Sequence, residues 1–240
     1  MAKNLSAHQP AYLPWLGYLH KIAVSDEFII LDHVQFEKNS FTNRNRIKTP
    51  NGPLWLTVPV HLDGHTNKTI SDILIDNTSN WREKHWKSIL LNYKKAPFFN
   101  QYSSFLEDMY RKDWNDITSL TTYFLTYILD ELGIKTKILR QSEISTESKK
   151  QELILDLCKR QKADVFIFGE LGSNYADRKL FKSQDIKIIF QKFHHPNYSQ
   201  LWGDFLPNLS CLDCLLNIGP KATYNVIFQK NASKSDIISR

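Results

Sequence analysis

The 240-residue sequence has only three cysteines and no long apolar run. Cys158, Cys211 and Cys214 are too few and too clustered to form the disulfide framework of a small secreted domain. The first residues, MAKNLSAHQ, lack the apolar core of a signal peptide. The longest apolar runs, FIIL and VFIF, are far shorter than the roughly 18 residues that a membrane-spanning helix needs. We therefore expect a cytoplasmic protein without a transmembrane segment.

Motifs of several common enzyme classes are also missing. The sequence has no G-x-S-x-G elbow of a serine hydrolase, no P-loop and no G-x-G-x-x-G dinucleotide fingerprint. Cys211 and Cys214, together with His194 and His195, offer the ligand types of a zinc site. However, leucines flank this single cysteine pair, which is typical of the apolar face of a helix. We predict no metal site.

Basic residues outnumber acidic ones, 31 to 25, which gives a net charge of +6 and a pI of about 9.1. Most of them alternate with acids, as on solvated helix faces, so we expect no nucleic-acid partner. The exception is the segment 38–48, KNSFTNRNRIK, which has no acid. Its cations are Lys38, Arg44, Arg46 and Lys48. Clustered guanidinium and ammonium groups favour a small anionic partner, such as a phosphate or a nucleotide-linked substrate.

Short apolar runs alternate with segments of helical periodicity along most of the chain. Such alternation with short connections predicts an α/β fold with a mostly parallel, Rossmann-like sheet covered by helices. Pro53 and Pro59 make residues 51–62 an edge strand or a loop. Strands are predicted at 5–9, 27–31, 135–139, 164–169 and 187–191, and helices at 15–23, 146–161, 178–182 and 209–217.

Residues 81–132 have helical periodicity throughout and predict about three helices. Because this block lies between two β-containing halves, we predict an inserted helical lobe at about 78–133. The lobe belongs to a single domain over residues 1–229, since no flexible linker flanks it. The last residues, 230–240, have weak periodicity and are expected to fray.

Three loops follow predicted strands and form the first candidate site, because ligands of doubly wound sheets bind beyond the carboxyl ends of the strands. His8 can exchange a proton near neutral pH, and Asp32 could orient it or act alone. Glu170 ends a buried strand, where a carboxylate is costly unless it binds an amine, a hydroxyl or a metal. Alternatively, His8 is a buried structural histidine and the aromatic residues beside it belong to the core.

A second group of candidates could bind a substrate. Arg44 and Arg46 are two residues apart, so on an extended segment they point the same way and could grip a phosphate or carboxylate. They could equally be plain surface residues. Asp213 and Asn217 share one face of a predicted helix. The complete set of candidate substrate-binding residues is Gln9, Tyr12, Trp15, Gln35, Asn43, Arg44, Arg46, Lys48, Tyr175, His195, Tyr198, Asp213 and Asn217.

Several long motifs resemble a known family. They are His8-Gln9-Pro10-x-Tyr12-Leu13-Pro14-Trp15-Leu16-Gly17-Tyr18, Asp26-x-Phe28-x(3)-Asp32-x-Val34-Gln35-Phe36, Asn43-Arg44-Asn45-Arg46-Ile47-Lys48, Trp55-Leu56-Thr57-Val58-Pro59-Val60, Gly169-Glu170, Tyr175, His195-Pro196-x-Tyr198 and Leu209-Ser210-x(2)-Asp213-x-Leu215-x-Asn217-x-Gly219. Together they resemble the WbqC-like family over nearly the whole chain. The resemblance implies a role in the biosynthesis of bacterial O-antigen or a related surface polysaccharide, namely the transfer of glycine or a similar amino acid onto an amino sugar.

The candidate residues suit the chemistry that this resemblance implies. An amine acceptor needs a base such as His8 or Asp32, and a sugar ring can stack on Trp15 or Tyr12. The cations Arg44, Arg46 and Lys48 suit a nucleotide-linked sugar. The expected partners are therefore small molecules, an amino acid and an amino sugar.

A second resemblance concerns the segment Pro14-Trp15-Leu16-Gly17-Tyr18-Leu19-His20 after the first strand. It is similar to the HIGH-type nucleotidyl-transfer proteins with a HUP-type sheet, including pantothenate synthetase, which makes an amide through an acyl-adenylate. Aromatic residues stand here where that motif has histidines. This resemblance implies ATP as a candidate cofactor. Three hypotheses stay open: an amide-forming transferase, another nucleotidyl- or acyl-transfer enzyme of sugar-precursor synthesis, and a non-catalytic sugar-nucleotide-binding protein.

Overall fold

The structure is a computed structural model that describes residues 2–239. Met1 and Arg240 lie outside the described residues. In chain order the strands and helices are β1 (Asn4–His8), α1 (Leu16–Ala23), β2 (Glu27–Ile30), β3 (Arg44–Thr49), β4 (Gly52–Thr57), α2 (Trp81–Tyr93), α3 (Phe99–Arg111), α4 (Ile117–Glu131), β5 (Lys137–Arg140), α5 (Lys150–Arg160), β6 (Val165–Phe168), α6 (Arg178–Lys182), β7 (Lys187–Phe190), α7 (Cys211–Phe228) and α8 (Lys234–Ser239).

The five strands β1, β2, β5, β6 and β7 form one sheet in the order β5-β2-β1-β6-β7, and every neighbouring pair is parallel. The chain starts at the central strand β1, extends to one edge through β2 and β5, and returns to the other side of β1 with β6. The strand order therefore reverses between β1 and β6, which is the topological switch point of a Rossmann-like sheet. The predicted α/β class with a parallel sheet is confirmed.

Helices cover both faces of the sheet, as the short apolar strands predict. In β2, Phe28 and Ile30 contribute to the core beneath α1 and α7, and Ile29 contributes to the core beneath α5 and α6. This alternation follows from the two-residue period of a strand. Both faces of the central strands are thus removed from water.

The segment predicted as an inserted lobe folds into the three helices α2, α3 and α4. Its buried side chains, for example Ile89, Leu106 and Phe124, belong to the same core as those of α1 and α7. The three helices thus thicken the layer on one face of the sheet. Among the described residues, no helix has the length and hydropathy to cross a membrane.

The basic segment pairs with the segment that follows it. Strand β3 runs antiparallel to β4 in a separate two-stranded sheet, with Arg46 opposite Trp55. The predicted edge strand or loop at 51–62 is thus the second arm of a hairpin. Strand β3 was not predicted, because RNRIKT has few of the apolar residues that signal a strand.

Two features near the C terminus depend on long-range packing. Helix α7 is kinked at Gly219, whose φ of 78° is unfavourable for other residues, and Pro220 follows. Within the tail predicted to fray, residues 230–240, Lys234–Ser239 forms α8. Ile237 in α8 is buried in a cluster with Val24 and Ile167. A six-residue helix is too short to show periodicity, so the sequence alone did not reveal this docking.

Candidate active site

A cavity of about 820 Å³ lies at the switch point, beyond the carboxyl ends of β1 and β6. This size falls in the range of small-molecule sites. The cavity brings together residues that follow four of the parallel strands. Its lining consists of Ala7, His8, Gln9, Trp15, Gly17, Tyr18, Lys21, Leu31, Glu37, Ile154, Phe166, Phe168, Gly169, Glu170, Leu171, Gly172, Tyr175, Gln191, Phe193 and Asn208.

His8 is the last residue of β1 and is partly buried in this cavity wall. Its Nδ1 lies 3.0 Å from the carbonyl oxygen of Gln9. Because a carbonyl only accepts, Nδ1 carries the proton and the lone pair resides on Nε2. Burial and the nearby Lys21 lower the pKa of His8 to about 4. The imidazole is therefore neutral near pH 7, and Nε2 is available to accept a proton.

Lys21 is a functional candidate that was not predicted from the sequence. It projects from α1 and lines the cavity, yet only 4% of its surface is exposed. Its Nζ donates a hydrogen bond of 2.8 Å to the carbonyl oxygen of Ala7. Burial lowers the pKa of Lys21 to about 7. The available signal was a lysine inside the apolar helix WLGYLHKIA that directly follows the His8 loop.

Aromatic rings form one wall of the cavity. The ring of His8 lies edge-on to Trp15 and Tyr18, at centroid distances of 5.5 and 5.1 Å. A Cβ atom at Gly17 would lie only 3.0 Å from side-chain atoms of Trp15 and Phe193, so a larger residue would shift this wall by a few tenths of an ångström. Trp15 is partly exposed and suits stacking against a sugar ring, whereas Tyr18 is 2% exposed and belongs to the core.

Glu170 lies at the mouth of the cavity, in the loop after β6. Its side chain is exposed, as is that of Glu37, which also lines the cavity. A carboxylate at the end of a buried strand was expected to be costly, but the Glu170 side chain is exposed here. The mouth is therefore acidic, whereas Lys21 places a basic group at the floor.

The structure places Asp32 outside the cavity lining, although the sequence analysis grouped it with His8. Asp32 is fully buried, and its carboxylate accepts hydrogen bonds from Arg140 Nε at 2.9 Å and from Ser142 N and Oγ at 2.8 and 2.7 Å. These contacts join the ends of β2 and β5. Asp32 therefore braces the sheet and does not contact His8.

Asp213 lies in a buried hydrogen-bond network away from the cavity. Its carboxylate accepts hydrogen bonds from Tyr93 Oη at 2.7 Å, Tyr198 Oη at 2.9 Å and Gln200 Nε2 at 2.7 Å. Lys48 donates to Gln200 Oε1 at 3.0 Å and is itself 3% exposed. The network attaches the irregular segment 191–210 to α7, α2 and β3.

Asn217 and Asn43, two other predicted binding residues, are also internal. Asn217 is 7% exposed, and its side chain bonds the Asp213 carbonyl and the Leu201 N–H. Asn43 is 7% exposed and donates to the Val58 carbonyl at 2.8 Å. Since their amide groups serve the backbone, they act in folding here and not at the cavity.

Tyr12 also points away from the cavity. Its hydroxyl lies 2.9 Å from His85 Nδ1 and within hydrogen-bond distance of the Tyr110 hydroxyl, and all three side chains are buried. Burial lowers the pKa of His85 to about 4. Tyr12 therefore fastens the loop after β1 to α2 and α3 and has no free face for a sugar.

The remaining candidates are divided between the cavity and its surroundings. Gln9 and Tyr175 line the cavity. Gln35 is exposed and does not line it. His195 Nε2 accepts a hydrogen bond of 3.2 Å from the backbone N–H of Asn208, which is a lining residue. His195 thus shapes the rim without entering the cavity.

Arg44 and Arg46 form a cationic platform on the hairpin, together with Trp55 and Phe41. Their guanidinium carbons lie 4.5 and 5.4 Å from the centroid of the Trp55 ring. Arg46 also donates to the carbonyl oxygen of Asn208, a lining residue, at 3.1 Å. Phe41 links Trp55 to the cavity wall, because it packs against Trp15 at 5.4 Å. The platform therefore borders the cavity.

Comparison with known proteins places the chain in a family. The WbqC-like protein family matches residues 9–225. The chain belongs to the WbqC-like protein family. The family prediction is thus confirmed, and the match includes every cavity residue named above except Ala7 and His8. The uncharacterized protein Rv1507c of Mycobacterium tuberculosis (strain ATCC 25618 / H37Rv) is 34% identical over 222 residues, which cover 92% of this chain and 96% of that protein. No solved structure matches.

A second, apolar cavity of about 440 Å³ adjoins the first in this WbqC-like protein. The two share Leu31, Ile154, Phe168 and Tyr175. The remaining lining comes from Val34 and the start of α5. The main cavity therefore continues into space that suits an apolar group.

The zinc ligands considered in the sequence do not meet in this WbqC-like protein. Within residues 2–239, no three His, Cys, Asp or Glu side chains are placed to hold a metal ion. Cys211 and Cys214 are buried in α7, and burial raises the pKa of both thiols. They serve as small apolar core residues.

Proposed function

We propose that this WbqC-like protein transfers an activated aminoacyl group, glycyl in the first instance, to the amine of a nucleotide-linked amino sugar in O-antigen or surface-polysaccharide biosynthesis. The observation that carries the proposal is the neutral His8 at the switch-point cavity, with Nε2 unbonded among residues 2–239. Amide formation from an amine requires a group that removes one proton. The family membership supports the pathway, and the cavity supports a small-molecule reaction.

The two substrates and His8 account for every bond, electron pair and proton in the proposed step. The sugar amine attacks the carbonyl carbon of the activated aminoacyl group, so a C–N bond forms and the C–O bond to a phosphate-type leaving group breaks. The leaving oxygen takes the bonding electron pair, and the proton of the attacking nitrogen moves to Nε2 of His8. ATP, when bound, would supply the activation of the amino-acid carboxylate.

Other residues of the cavity have proposed binding roles. Trp15 presents a partly exposed ring on which the sugar stacks. The guanidinium groups of Arg44 and Arg46, at the border of the cavity, face the nucleotide phosphates. Glu170 at the mouth accepts hydrogen bonds from sugar hydroxyls or attracts the acceptor's ammonium form before it loses its proton.

The test is an activity assay with purified protein, ATP, glycine and a panel of nucleotide-linked amino sugars, in which mass spectrometry detects the amide product. We expect His8→Ala to reduce the rate about 100-fold or more, because general-base catalysis typically contributes that much. His61→Ala is the matched control, since His61 is exposed and does not line the cavity. Full activity of the His8 variant on the correct substrate would refute the assigned site.

The adjoining apolar cavity favours one other candidate, the transfer of an acyl group from acyl-coenzyme A to the same amine. A space of about 440 Å³ lined by Leu31, Val34 and Phe168 suits an acyl chain better than a glycyl group. The same assay separates the two. Product formation with acyl-coenzyme A and without ATP or amino acid would favour the acyl donor.

A further inference from the structure

Lys21 is a buried amine at the floor of the cavity that lacks an acidic partner. It is 4% exposed, and the carbonyl oxygen of Ala7 is the acceptor that the structure gives its Nζ. Within residues 2–239, Lys21 takes part in no ion pair. An ammonium group has three protons to donate, so two remain without a protein acceptor.

The other buried lysine shows the usual arrangement. Lys48 donates to Gln200 Oε1 and to the carbonyl oxygen of Asp204. Burial raises the pKa of the nearby Asp213 carboxyl group, and the charge of Lys48 opposes that rise. Buried charges in proteins are generally paired in this way, because an unpaired charge away from water is costly. Lys21 differs in that it lines an open cavity.

We propose that Lys21 binds the anionic group of a substrate, a carboxylate or a phosphate, which supplies the counter-charge that the protein does not provide. This inference rests on the cavity being the substrate site, as proposed above, but not on which group is transferred. The cavity's acids, Glu37 and Glu170, lie exposed at its mouth. An anion is therefore directed to the floor, where Lys21 and the neutral His8 lie.

The proposal predicts that anion binding is linked to proton uptake. Burial lowers the pKa of Lys21 to about 7, so part of the free protein carries a neutral amine at neutral pH. A bound anion favours the ammonium form and raises this pKa. His8 and Tyr18, the titratable groups beside it in the wall, are neutral near pH 7, because burial lowers the pKa of His8 and raises that of Tyr18. Binding at pH 7 should therefore take up about half a proton.

Isothermal titration calorimetry at pH 7, in two buffers of different ionisation enthalpy, tests the inference with the full chain. The probes are glycine, inorganic phosphate, pyrophosphate and ATP, so that the carboxylate and phosphate sources are separated. We expect at least one probe to bind with proton uptake, and Lys21→Met to weaken that probe about tenfold or more and to abolish the uptake. Lys192→Met is the control, because Lys192 is exposed and lies outside the cavity lining.

The outcomes separate this inference from the proposed function. Proton uptake that depends on Lys21, without any amide product, would support the anion site and count against the transferase. Binding of a probe without proton uptake, with unchanged affinity in Lys21→Met, would overturn the inference, and so would the absence of binding by all four probes. If Lys21→Met does not fold, the unmodified protein provides the test. Proton uptake on binding of a probe would then support the anion site, and binding without proton uptake would overturn it.

Discussion

Replacing Asp213 should destabilise the protein strongly, although Asp213 lies outside the cavity. Its carboxylate accepts hydrogen bonds from Tyr93, Tyr198 and Gln200, and its side chain is fully buried. In Asp213→Ala all three donors lose their acceptor. Each unsatisfied buried group costs about 1–3 kcal/mol, and partial repair by water brings the expected loss to about 3–5 kcal/mol.

Urea unfolding monitored by circular dichroism measures this loss as a change in the free energy of unfolding. Asp204→Ala is the matched control, since Asp204 is an exposed carboxylate on the same segment and its removal should change stability by less than about 0.5 kcal/mol. Tyr198→Phe removes one donor and should cost about 1 kcal/mol. If Asp213→Ala lost less than about 1 kcal/mol, the network would not hold the segment 191–210 as we infer.

Three other predictions concern pH, close packing and the sheet. Burial lowers the pKa of His85 from 6.5 to about 4, so between these pH values the unfolded chain binds a proton that the folded chain does not. The free energy of unfolding should therefore fall by about 3 kcal/mol as the pH drops to 4. In denaturation curves, His85→Gln should lessen this fall. An equal drop in both proteins would contradict this. Gly17→Ala should raise KM severalfold with little loss of stability, since the added Cβ would displace Trp15 or Phe193 in the cavity wall. An unchanged KM would show that these side chains move aside without affecting substrate binding. Asp32→Ala should lower the free energy of unfolding by about 3–5 kcal/mol, because Arg140 and the Ser142 N–H lose their buried acceptor. A loss below about 1 kcal/mol in urea unfolding would count against this bracing role.

The sequence by itself determined the α/β class, the parallel strands and the helices other than α8. These features depend on local periodicity and end signals, which neighbouring residues carry. Helix α6 has the predicted bounds, Arg178–Lys182, and α7 is interrupted at Gly219, two residues beyond the predicted end of the helix at 209–217. His8, Trp15 and Glu170 could be grouped from the sequence, because the parallel topology brings the carboxyl ends of the strands to one edge, and all three line the cavity there.

Only the tertiary structure decided which polar residues face the cavity and which hold the fold together. Asp213 was a binding candidate by its spacing from Asn217, but its partner Tyr93 is 120 residues away in sequence. Asp32 likewise meets Arg140 across 108 residues. The burial of Lys21 depends on the cavity that β1, α1 and β6 form together. Periodicity shows which face of an element is apolar, but a hydrogen-bond partner or the wall of a cavity depends on residues that meet only when the chain is folded.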